Sequence, residues 1–119
     1  MLKKRNSKIY DLEDRTYIFA KNCRIFTKKL PKNISNIEYV KQLIRASSSQ
    51  AANYIEANEA ISKKDFIFRI KICRKEAKES RLWLRLCEPS PDYEETQRKL
   101  IKESIELTKI FGAILEKSK

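Results

Sequence analysis

Apolar residues recur in steps of three and four along four stretches of the chain, about residues 11–30, 36–60, 63–88 and 91–117. That spacing buries one face of a helix. The first stretch places Leu12, Thr16, Phe19, Cys23, Phe26 and Leu30 on one side. The second gives Ile37, Val40, Ile44, Ser47, Ala51, Ile55 and Asn58, a stripe that turns small and polar half-way and so admits a close neighbour. Phe66, Ile70, Cys73, Ala77, Ser80, Leu84 and Cys87 form the third, and Leu100, Ser104, Leu107, Phe111 and Ile114 the fourth. Pro31 closes the first stretch, and Ser35 or Asn36 is expected to cap the second. Ser62, followed at the third position by Asp65, opens the third in the manner of a capping box. Ser90 and Pro91 suit the cap and first position of the fourth. Four amphipathic helices of similar length with short connections predict an all-α, antiparallel up-down four-helix bundle over residues 11–119, preceded by a basic arm at residues 1–10. A single Gly and three Pro in 119 residues argue against a strand-and-turn fold.

The third stretch carries more apolar residues than one face uses. Phe68, Ile72, Leu82, Trp83 and Leu86 fall outside its core stripe and predict a subunit interface, because large apolar patches are uncommon on soluble monomers.

Charge changes the picture further. The chain has 27 Lys and Arg against 16 Asp and Glu, a formal +11. The excess sits in the arm (+4, with Lys3, Lys4 and Arg5), in the first helix (+2) and in residues 62–88 (+5), while the remaining segments balance. Lys64, Lys71, Lys75, Lys78 and Arg85 follow steps of 7, 4, 3 and 7, which keeps them on one side of the third helix, with Arg74 and Arg81 on its flank. Glu76 and Glu79 partly neutralise that row. An acid-free arm and a one-sided row of cations exceed what solubility requires and point to phosphate contact with nucleic acid.

The inventory excludes most familiar chemistry. Without His there is no Ser-His or Cys-His nucleophile and no His-ligated zinc site. Cys23, Cys73 and Cys87 are odd in number and lack CxxC spacing, so they read as reduced core thiols. Glu56 with Glu59 and Glu76 with Glu79 stand at i and i+3, but a di-iron bundle needs Glu-x-x-His motifs, so no metal or cofactor is expected. The only Gly lies inside the fourth helix, which leaves no glycine loop for phosphate. The longest uncharged run, Ala46 to Ile55, is ten residues and partly polar, too short for a membrane span. No apolar signal core follows the basic start, and the expected location is cytoplasmic.

Several stretches together resemble the four-helix-bundle family of the 23S ribosomal RNA intervening sequence. They are Asp11-Leu12-Glu13, Leu30-Pro31, Gln42-Leu43-Ile44-Arg45-Ala46, Ser49-x-x-x-Asn53-x-x-Glu56-Ala57, Ser62-Lys63-Lys64-Asp65-Phe66, and Arg74 with Glu79. The resemblance implies a small basic bundle that assembles into a homopentamer without enzymatic activity. It also implies kinship with the accessory protein of diversity-generating retroelements, which partners a reverse transcriptase. Asn53 and Glu56 match the family's Asn-x-x-Glu positions and are expected to support helix packing or the subunit contact. Ala57-Asn58 departs from the glycine and aromatic or polar residue that follow in many members.

The expected function is therefore a non-enzymatic, homo-oligomeric scaffold. It would bind RNA or DNA through Lys3, Lys4, Arg5, Lys64, Lys71, Arg74, Lys75, Lys78 and Arg85, as accessory to a processing enzyme such as a reverse transcriptase. The alternative is a scaffold for an acidic protein, with the charge serving only to steer encounter.

Overall fold

The structure, a computed structural model, describes residues 11–119; the basic arm, including Lys3, Lys4 and Arg5, lies outside the described residues. Four helices follow one another: α1 (Leu12–Lys28), α2 (Ile34–Asn58), α3 (Lys63–Leu86) and α4 (Glu94–Lys117), with a 3-10 turn at Pro91–Tyr93 before the last. No strand occurs among the described residues. Successive helices pack against each other and α1 returns to α4, so α1 and α3 occupy diagonal corners of an antiparallel four-helix bundle.

Local chemistry sets the boundaries. Asp11 and Ser62 accept hydrogen bonds from the Asp14 and Asp65 amides at 3.1 and 3.0 Å and cap α1 and α3. The α2 cap differs from the expected Ser35 or Asn36. Asn33 takes that role, its Oδ1 accepting from the Asn36 amide at 2.8 Å. Asn36 is freed for a different task and is 1% exposed. Its Nδ2 donates to the Pro31 and Glu88 carbonyls at 2.9 and 3.0 Å, and its Oδ1 accepts from the Glu88 amide at 2.9 Å. One side chain thereby ties the α1–α2 loop to the exit of α3. Gln97 completes that end, donating to the Leu84 and Cys87 carbonyls, both at 2.9 Å, which the end of α3 would otherwise leave unpaired. Ser90 makes no side-chain cap; Pro91 begins the 3-10 turn, and α4 starts three residues later.

The core follows the predicted stripes of α1, α3 and α4. Phe19, Phe26, Ile70, Leu84, Leu107 and Phe111 are fully buried, each contributing about 2–3 kcal/mol of apolar transfer. The α2 stripe is displaced by one residue from the expected one. Its buried side is Asn36, Leu43, Ala46, Ser47, Gln50 and Ala57, while Ile37, Ile44 and Ile55 are exposed. Three polar side chains, Asn36, Ser47 and Gln50, occupy core positions there. Gln50 reaches across to α1, its Nε2 donating to the Thr16 carbonyl at 2.8 Å. The seam between α1 and α4 is closed by a two-bond ion pair, Arg15 to Glu103 at 2.7 and 2.8 Å. The Glu103 carboxylate raises the Arg15 pKa by holding its proton through that pair.

The three cysteines are unpaired and buried. Burial pushes the Cys23 and Cys73 thiols up to about 12 and Cys87 to about 11.

Candidate nucleic-acid interface

The outward side of α3 gathers most of the predicted cations. Its core stripe faces α2 and α4, so Lys64, Lys71, Arg74, Lys75, Lys78 and Arg85 are turned outward and all are exposed. Lys71, Arg74, Lys75 and Lys78 line one shallow open groove with Glu79, Leu82 and, from α4, Leu115. Arg74 leans over α4 at Gly112, where its Nε stands 3.7 Å from the place a β-carbon would take.

The two glutamates on this helix turn toward α2, away from most of the row. Glu76 is buried, and Arg45 of α2 donates to its two oxygens at 3.4 and 3.5 Å. The same guanidinium is closely paired with Glu79, which also accepts from Trp83 Nε1 at 3.5 Å. Both carboxylates are thus committed to α2. None of Lys64, Lys71, Arg74, Lys75, Lys78, Arg81 and Arg85 forms an ion pair among the described residues. The outcome is a face of net positive charge with Glu79 at its edge. Sequence reasoning missed Arg45, whose role depends on which α2 residues meet α3.

The five residues expected at a subunit interface divide. Phe68, Leu82 and Leu86 are exposed, whereas Ile72 and Trp83 are half-buried. Trp83 packs on the core beside Tyr39, with ring centroids 6.2 Å apart. Arg69 stands 5.8 Å over the Phe68 ring. On helical geometry Phe68, Leu82 and Leu86 share their side with the lysine row, so they form no separate apolar face.

A larger apolar surface lies elsewhere. Two adjoining grooves between α1 and α2 share Arg24 and Ile44. Their floor includes Ile37, Val40, Ala51 and Ile55, and Lys21, Arg24 and Lys28 of α1 stand along the rim. The isoleucines had been assigned to the core, which hid this groove from sequence reasoning.

Asn53 bridges helices: its Nδ2 donates to the Ser49 carbonyl at 3.0 Å, and its Oδ1 accepts from Arg69 of α3 at 3.0 Å. Glu56 is exposed, and its carboxylate has no hydrogen-bond partner among the described residues. No group of three His, Cys, Asp or Glu side chains converges among the described residues. No described helix is long and apolar enough to cross a membrane.

The family model of the 23S rRNA-intervening sequence protein matches residues 9–113. The chain belongs to this family. A solved member of what is named the S23 ribosomal protein family, a protein of unknown function from Bacteroides thetaiotaomicron VPI-5482, superposes with a TM-score of 0.73. The two are 27% identical, over 87% of this chain and 97% of that one. No protein of curated function matches the chain. Family membership fixes the bundle and leaves the role of the α3 face to its own chemistry.

Proposed function

We propose that this intervening-sequence family protein is a non-enzymatic nucleic-acid-binding scaffold, acting through the cationic face of α3. The observation that carries this reading is the pairing of Glu76 and Glu79 with Arg45, beside which eight exposed cations of one helix, Lys63 included, have no acidic partner among the described residues. Such a face draws polyanions, and its contacts are to phosphate. The chain would serve an RNA- or DNA-processing enzyme, such as a reverse transcriptase, as an accessory. It would do so as a homo-oligomer, the five-fold assembly implied by the resemblance. The α1–α2 groove is the better candidate for the subunit contact, because its apolar floor is continuous and the apolar residues of α3 stand among cations.

Charge reversal tests the reading. A Lys71→Glu, Lys75→Glu, Lys78→Glu variant should lose retention of labelled RNA and DNA at low salt while keeping its helical circular dichroism. Unchanged retention overturns the proposal. A second reading, an acidic protein partner, is favoured by Phe68, Leu82 and Leu86 lying among the cations. Capture of a partner from nuclease-treated lysate that is lost in the same variant would support it over the first.

A further inference from the structure

Resting on the nucleic-acid reading of the same face, we infer that α3 is shaped for the phosphate backbone of a double helix and not for single strands. Three features of the face point to this. The first is its dimensions. Lys64 to Arg85 covers 22 residues of one uninterrupted helix, a span of about 31 Å for 21 rises of 1.5 Å. One turn of a duplex advances by about 34 Å, so a straight cationic rod of this length lies along most of a turn.

The second is the arrangement of charge across the helix. At about 100° per residue, the cations spread over about 120° of the cylinder, from Lys75, Lys64 and Lys71 through Lys78 and Arg85 to Arg74 and Arg81. A cationic band of that width on a rigid rod matches a surface that carries phosphate on two strands. A single strand presents one flexible line of phosphates and uses only part of such a face.

The third is what the face lacks. Proteins that hold single strands without sequence preference stack successive bases on exposed aromatic rings. On α3 the Trp83 ring is packed beside Tyr39 and its Nε1 points to Glu79, so it offers no free platform. Phe68 is the one exposed ring of this helix, and the Arg69 guanidinium stands over it. The apolar residues between the cations are the aliphatic Leu82 and Leu86. α3 contains no Asn or Gln to pair with adenine edges, and its one hydroxyl, Ser80, is buried and donates to the Glu76 carbonyl at 2.8 Å. With the helix lying along the backbone and not entering a groove, its arginines meet phosphate and not guanine edges, so binding should be indifferent to sequence.

The test uses the full chain freed of nucleic acid, titrated over several salt concentrations with blunt duplex DNA, duplex RNA and an unpaired oligouridine of equal length. At equal salt the duplexes should bind at least about tenfold tighter than the oligouridine. Scrambling the duplex sequence should change affinity less than about threefold, and comparison of the two duplexes identifies the preferred form. A Lys71→Gln, Lys75→Gln, Lys78→Gln variant should lower the slope of log affinity against log salt on duplex by about three, near 0.9 per cation removed. A Lys99→Gln, Lys102→Gln, Lys117→Gln control on α4 should leave it unchanged, and Phe68→Ala should leave duplex affinity within about twofold. Oligouridine binding as tight as duplex, or a large loss in Phe68→Ala, overturns the duplex assignment alone. Absence of binding to all three at low salt overturns the nucleic-acid reading itself.

Discussion

At the level of single residues, the polar side chains inside the bundle decide more than the apolar ones. Asn36 satisfies two carbonyls and one amide from two separate loops, so truncation strands buried polar groups as well as removing bonds. Asn36→Ala should cost about 2–3 kcal/mol, visible in thermal unfolding as a loss of roughly 8 °C or more. Asn33→Ala, which removes only an exposed cap, should cost about 1 kcal/mol. Equal effects of the two would mean that the Asn36 network carries no weight. The cysteines are a second case. With the native thiols raised to about 11 and 12, very little native thiolate exists at pH 8. Alkylation by iodoacetamide at pH 8 should be at least a hundredfold slower than in urea-unfolded chain. The same shifts set a pH dependence. The folded chain holds these protons above the unfolded thiol pKa, near 8.5–9, so the stability they contribute is complete below about pH 8.5 and declines as pH rises toward 11–12. Urea midpoints measured from pH 8 to 10.5 should fall, and less steeply in a Cys73→Ala variant than in the parent.

The individual helices show how far the sequence could be read. In α1, α3 and α4 the predicted stripe is buried, because its polar members Thr16, Ser80 and Ser104 are small enough to bond to their own helix backbone; α3 buries Glu76 beside that stripe, against Arg45. In α2 the periodicity misleads by one position. Asn36 and Gln50 are buried because loops and α1 offer them hydrogen-bond partners, and this turns Ile37, Ile44 and Ile55 outward. No property of those residues alone reveals it; the partners are distant in sequence. The lysine row on α3 was legible from spacing, since cations at steps of 3, 4 and 7 share a side whatever they face. The capture of Glu76 and Glu79 was not, because it needs the register of α2 against α3. A helix-level prediction follows from α4. Gly112 sits inside it, where glycine costs about 1 kcal/mol relative to alanine. A β-carbon there would meet Arg74 Nε at 3.7 Å, an ordinary contact. Gly112→Ala should therefore raise the urea midpoint, by about 0.5–1 kcal/mol at unchanged m value. A lowered midpoint would show that Arg74 needs the open space.

For the molecule as a whole, the two surfaces under discussion respond to salt in opposite directions. Chains of formal charge +11 repel one another, so association through the apolar α1–α2 groove, with Lys21, Arg24 and Lys28 on its rim, is opposed at low ionic strength and strengthened by screening. Phosphate binding at α3 weakens over the same range, because counterions released from nucleic acid no longer favour the complex. Sedimentation velocity at tens of micromolar should accordingly show a species larger than the 14.1 kDa monomer, its proportion rising between about 50 and 300 mM salt. An Ile44→Glu, Ile55→Glu variant should sediment as a monomer with unchanged helicity, because two carboxylates in the apolar floor cannot be buried without partners. A Phe68→Gln, Leu86→Gln variant on α3 should assemble like the parent. Disruption by the α3 pair and not by the groove pair would return the subunit contact to α3. That outcome would bury cations assigned to phosphate and set the two proposals in direct competition for one face.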